Sequence, residues 1–195
     1  MIPENFKKAW TLVDDNLNPI SLKYLSGLGL SQSSIDFFVK SGFPDSAAPF
    51  LSFSKESDNV YESVQRLTKV YDILEPNFNE YIVIGSCNDG DPIVINTKEN
   101  DQIEFLDHEN SFNPNLFNSN VYSMAKCLLA YRDFVISLQE KNGADAYFNS
   151  NFTDEQFERL KTDLTNADEV ALKNNSFWSM QLITDLELRE SCKNE

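Results

Sequence analysis

The sequence predicts an α+β domain, a central antiparallel sheet built as a meander and packed by helices, with a helical C-terminal extension. Three observations carry this. Residues 81–84 and 93–95 are apolar and largely β-branched, as strands buried on both faces are, and residues 102–105 alternate polar with apolar like a half-buried neighbour. The connections at 85–91 and 97–101 are dense in Gly, Asn and Asp, which suits two hairpin turns. Amphipathic stretches lie on either side of this meander. The expected division is a domain over residues 1–142 and an extension over 143–195 packing on the same domain.

Taken in order, Pro3 suits a first helical turn, and Phe6, Trp10, Val13 and Leu17 recur four, three and four apart. That spacing predicts a helix ending before Pro19. Residues 20–30 follow, with Gly27 and Gly29 marking a turn. Ser31 then caps a helix whose Ile35, Phe38 and Val39 face inward. Gly42 offers a left-handed position at its end, Phe43 can fold back on Phe38, and Pro44 stops any continuation.

Residues 45–59 read as a loop around one apolar run at 49–53, a candidate strand. Residues 60–74 fit two patterns. Val64, Leu67, Val70, Tyr71 and Leu74 share a helical face, while 60–64 can pair as an edge strand; the reading adopted is a strand near the start, then a helix or turn. Residues 76–79 link into the meander. Beyond it, 108–118 reads as an Asn- and Pro-rich loop, and Asn118 and Asn120 offer caps for the longest helix, to about Gln139. Met124, Leu128, Tyr131, Val135 and Leu138 form its stripe, widened by Val121, Ala125 and Leu129, and it is expected to cross the sheet.

Asn142 and Gly143 close that helix. In the extension, Thr153 and Gln156 make a capping box, with Phe152 and Phe157 as the matching staple. Phe157, Leu160 and Leu164 form the next apolar stripe, and a last apolar piece at 177–183 leads into a charged tail. Trp178 and Phe177 are expected to pack against the body, the commoner use of such a pair.

Charge narrows the choice of partner. The 195 residues carry a formal charge of −15, with a pI near 4.4. Such a surface repels nucleic acid and anionic membrane and favours fast association with a basic protein. Residues 86–110 alone hold seven acids against Lys98. Cys87, Cys127 and Cys192 are odd in number, widely spaced and without a C-x-x-C pair, which fits a reducing cytosol. With no apolar leader or bilayer-length run, a cytoplasmic location is expected.

Each candidate for chemistry meets an obstacle. His108 is the single histidine and has no His-based metal cluster or relay partner in the pattern around it. The acids near Asp89 and Asp91 resemble part of a calcium loop, but counting from Asp89 puts Asn100 where the bidentate Glu belongs and Ile93 and Ile95 inside the loop. Gly85 and Gly90 form no phosphate cradle, and no G-x-S-x-G occurs. Cys127 sits in an apolar helix as a core residue. No catalytic residue, metal site or cofactor is expected.

Four segments, in order, carry a resemblance. Residues 28–38 closing at 42–44, the hairpin of 82–85 with 89–95, the strand of 103–109 ending in Asp107, His108 and Glu109, and residues 117–121 before the long helix resemble the SUKH superfamily. Its members include bacterial immunity proteins and a fungal cell-wall regulator. Residues 166–172 with Phe177 and Trp178 are similar to a tail found in some branches, though Glu169 and Ser31 stand where proline is frequent. The resemblance implies an α+β domain without enzymatic activity that binds and neutralises a cognate toxin, often a nuclease and hence basic. On that expectation Asp89, Asp91, Glu99, Asp101, Glu104 and Glu109 contribute to the contact surface. The alternatives are a regulatory or scaffold protein of the same superfamily, and a hydrolase using His108 with an acid.

Overall fold

The structure, a computed structural model, describes residues 2–11, 17–87 and 90–193. In chain order the elements are α1 (Pro3–Trp10), β1 (Leu17–Asn18), α2 (Leu22–Leu25), α3 (Gln32–Lys40), β2 (Phe43–Pro44), β3 (Ser46–Ala47), β4 (Leu51–Phe53), β5 (Gln65–Arg66), α4 (Leu67–Val70), β6 (Tyr81–Cys87), β7 (Asp91–Asn96), β8 (Gln102–Asp107), β9 (Asn113–Asn118), α5 (Val121–Asn142), α6 (Asp154–Ala167) and α7 (Phe177–Lys193). The fold is α+β. One antiparallel sheet runs β3-β4-β6-β7-β8-β9, and β5 shares the edge of β6 with β4; β1 and β2 form a separate pair.

The meander β6-β7-β8 is the centre of the sheet. Its side chains alternate between two cores. Ile82, Ile95 and Ile103 sit in register and join the large core under α5. Val83, Val94 and Leu106 face the other way into a smaller cluster with Leu67 and Phe112, bordered by Tyr71, Phe78 and Tyr81. The second face is therefore only thinly covered, by α4 and the 3-10 turn Pro76–Glu80.

The first helix is shorter than its apolar spacing predicts. It ends at Trp10, and Leu17 lies in β1, paired with Pro44; Val13 falls outside the described residues. Gly42 explains the difference. At φ +65° it lets residues 42–44 close on Asn18, whose carbonyl oxygen would lie 1.9 Å from any Cβ there. A contact between segments so far apart in sequence leaves no trace in local periodicity. Phe43 does fold back on Phe38, at 5.8 Å between rings.

Other segments also differ from the sequence reading. Residues 45–59 hold a hairpin of β3 and β4 rather than one strand. The strand expected at 60–64 falls at β5 instead, because Asn59 bends the chain first: its Oδ1 accepts from Tyr61 N at 3.1 Å and its Nδ2 donates to Glu62 Oε1 at 2.9 Å. The loop expected at 108–118 contains β9. Pro114 is tolerated there because the strand lies at the sheet edge and pairs only with β8.

The C-terminal helices seat on the same core as the sheet. α5, capped by Asn120 through Tyr122 N and Ser123 N, runs to Asn142 before Gly143. α6 starts with the capping box of Thr153 and Gln156, and Phe152 stacks on Phe157 at 5.5 Å. The charged tail is helical, and α7 stacks Phe177 on Phe117 at 4.0 Å. A buried polar joint locks this arrangement. Asp168 Oδ2 accepts from Asn118 Nδ2 at 2.9 Å and from Ser119 N at 2.7 Å, its Oδ1 accepts from Ser119 Oγ at 2.7 Å, and Trp178 Nε1 donates to Asn118 Oδ1 at 3.0 Å. No helix of the described residues is long and apolar enough to cross a membrane.

Candidate functional site

The thin second face of the sheet opens into a cleft of about 480 Å³ at the end where β6 turns into β7. Val83, Gly85 and Ser86 line it, because Gly85 lets β4 approach β6 closely: a Cβ there would sit 2.2 Å from the Ser52 carbonyl oxygen. Tyr61 and Tyr71 also line it. Tyr61 is 78% exposed, whereas Tyr71 packs edge-on against Phe112 at 4.8 Å. Burial, then the charge of Asp91, raises the Tyr71 pKa, which places Asp91 within electrostatic reach of the cleft.

The lining is acidic. Asp45 and Glu62 stand with one base, Lys55, whose Nζ lies 3.7 Å from Asp45 Oδ1. Gly90 and Pro92 line the same cleft, on either side of Asp91. Next to them His108 Nδ1 lies 2.6 Å from Asp91 Oδ1, which also accepts from the His108 backbone N at 3.0 Å. That hydrogen bond to Asp91 raises the imidazole pKa, slight desolvation opposes it, and the charges of Asp91, Glu109 and Asp107 add to it. Among the described residues nothing hydrogen-bonds His108 Nε2, so the pair has no nucleophile in place.

Of the six acids expected at a contact surface, the five described ones do not converge. Asp91 and Glu109 sit at the cleft end. Glu99 and Asp101 sit in the β7–β8 turn at the opposite end, about 17 Å along the strand at ~3.3 Å per residue. Asp101 is buried and its Oδ2 accepts from Ser31 N at 2.8 Å, so it anchors the start of α3. Glu104 is buried on the second face and accepts from Asn96 Nδ2 at 3.3 and 3.4 Å. Glu99 and Glu109 are exposed, and Asp89 lies outside the described residues. Asp45, Tyr61, Glu62 and Tyr71 were missed by the sequence reading. The one local signal was Asn59, whose turn presents Tyr61.

Burial pushes the Glu104 carboxyl above its ordinary value of 4.5, with the Asn96 bond opposing and the Glu99 charge adding. The ionised form is thus disfavoured by folding, a penalty absent below the ordinary value and present once the pH exceeds the raised one. Glu104→Gln keeps an acceptor for Asn96 and is expected to raise stability at pH 7.5, with the gain vanishing near about pH 4. Urea unfolding of both proteins at the two pH values checks this, and an equal gain at both would rule out the charge as its cause.

Burial pushes the thiols of Cys87 and Cys127 up to about 12, so neither is a poised nucleophile. Among the described residues no three His, Cys, Asp or Glu side chains are grouped to hold a metal ion. What the arrangement offers is an acidic recess lined by two tyrosines. No protein-family model, curated protein or solved structure matches this chain.

Proposed function

We propose that this chain is a non-enzymatic immunity protein that binds a cognate bacterial toxin, a basic nuclease, and neutralises it by covering its active site. The observation that carries the reading is the cleft end of the sheet. There exposed Tyr61 stands with Asp45 and Glu62, while Asp91 and exposed Glu109 lie alongside, on a chain of net charge −15. A nuclease must approach a polyanion, so an acidic surface complements it and discourages nucleic acid itself from competing. The resemblance to the SUKH superfamily supports the same class. Two of its segments, at Asn118 with Ser119 and at Asp168 with Trp178, meet in one buried joint.

The test is co-expression with the product of the neighbouring reading frame, followed by gel filtration of the pair. Growth rescue and a co-eluting complex are expected, and the absence of both sinks the reading. A complex without rescue would assign the chain a regulatory or scaffold role instead.

Charge then locates the face. Reversing Asp45, Glu62 and Glu109 together to Lys is expected to slow association by about 10- to 100-fold at low salt. Glu99→Lys, at the far end of the strand, is expected to change it by less than about threefold. Stopped-flow association rates at two ionic strengths decide between them, and equal effects from both variants would remove the cleft end as the contact.

A further inference from the structure

A second surface lies on the helical side of the β3–β4 hairpin. There α7 and residues 147–152 enclose an apolar slot of about 340 Å³, walled by Tyr147, Phe148, Phe152, Met180 and Leu188 with Phe50 at its edge. The slot also contains a carboxylate. Asp185 is only 4% exposed and lines it; its Oδ2 accepts from Tyr131 Oη at 2.8 Å and its Oδ1 from Gln181 Nε2 at 2.8 Å. Tyr147 Oη completes the group, 3.1 Å from Tyr131 Oη.

This carboxylate pairs with no cation among the described residues. Arg189, one turn further along α7, is engaged with Asp154 at 2.8 Å and with the Phe152 carbonyl. Burial raises the Asp185 pKa, and the bonds from Tyr131 and Gln181 only partly oppose this. A buried carboxylate bounded by aromatic rings suits a cation with an apolar stem, through a charge-assisted hydrogen bond and cation–π contact.

The rim says what carries that cation. Phe50 and Phe148 are 70% and 68% exposed and line the slot together. With Tyr147 they also line an adjoining hollow of about 560 Å³, together with Trp10. Arg132, stacked over the Trp10 ring at 5.0 Å, lines this hollow too, so its far side is closed by a cation and the unpaired carboxylate lies only in the slot. A free amine would fill the slot and leave Phe50, Phe148 and the Trp10 hollow uncovered. A polypeptide supplies both needs: a basic side chain for Asp185 and apolar neighbours for Phe50 and Phe148. Ser52 lines both this hollow and the cleft, so the two surfaces adjoin.

We propose that this double hollow docks a protein segment that seats one arginine or lysine side chain in the slot against Asp185 and lays apolar residues on Phe50 and Phe148. This deepens the reading of a basic protein partner, on which it rests for the partner's sign, by naming how that partner is anchored.

The probe is a blocked tripeptide of leucine, arginine and phenylalanine, titrated into the full chain while backbone amide shifts of Phe148, Gln181 and Thr184 are followed. Binding with a Kd of roughly 0.1–1 mM is expected. The citrulline counterpart, neutral but of the same shape, is expected to bind about tenfold more weakly. Asp185→Asn should abolish that preference, and Phe148→Ala, at an exposed site that leaves the fold intact, should weaken the peptide about three- to tenfold. Equal affinity for the arginine and citrulline peptides, or no shifts up to about 10 mM, would overturn the proposal. Phenethylammonium binding as tightly as the peptide would reassign the slot to a small amine and overturn it too. The assay contains no toxin, so failed rescue of cells and failed peptide binding are separate results.

Discussion

Replacing Asp168 by Ala is expected to lower the unfolding free energy by about 3–4 kcal/mol. Its carboxylate accepts from buried Asn118 Nδ2 and from both the backbone N and Oγ of half-buried Ser119, and all three donors would lose their acceptor. Asn118 in turn holds Trp178 Nε1, so the loss reaches α7. For a chain of 195 residues this corresponds to a fall in Tm of roughly 10 °C. Asp168→Asn should recover part of the stability by restoring acceptor oxygen to some of these donors. Thermal and urea unfolding of the three proteins check the order. A loss below about 1 kcal/mol for the alanine variant would mean that water replaces the joint.

Gly85→Ala should cost about 2–4 kcal/mol and act locally on the candidate site. The new methyl group would meet the Ser52 carbonyl oxygen at 2.2 Å and Phe53 Cα at 3.1 Å, both backbone, so no side-chain rotation relieves it. The β4 strand must then move off β6, where Ser52 pairs with Ser86 and Phe53 with Gly85. Hydrogen exchange should show faster exchange at Phe53 and Ser54, whose amides bond to the Asp45 and Ile84 carbonyls, while amides of α5 keep their relative protection. Uniform loss of protection would show that β4 and the main core unfold as one unit. If the cleft end is the contact surface, the same variant weakens partner binding, since β4 carries one side of the cleft.

These two expectations rest on different kinds of information. Gly85 was legible as a turn residue near a hairpin, but it lies inside β6, and its importance comes from a strand more than thirty residues earlier. Asp168 had only a segmental resemblance to mark it, and three of its four bonds cross from the end of α6 to the junction between β9 and α5. The same holds for the acids. Glu104 and Asp101 read as surface charges in an acidic stretch, yet one is buried on the second face and the other is bonded to the amide that precedes α3. Charge count is a property of composition, whereas the face a carboxylate occupies depends on strand register and on distant elements.

Local sequence determined much of this protein. The β-branched runs and Gly/Asn/Asp turns specified the meander, Thr153 with Gln156 started α6, and the 3.6-residue stripe laid out α5, because each signal acts within one or two turns of chain. Only the tertiary structure decided that Leu17 pairs with Pro44, that Asn- and Pro-rich residues 113–118 become an edge strand, and that Tyr61, Asp45 and Pro92 border one cleft. It also brought Asp185 and Phe50, 135 positions apart, to a single slot. Such pairings depend on packing between distant segments, and short-range periodicity carries no term for them.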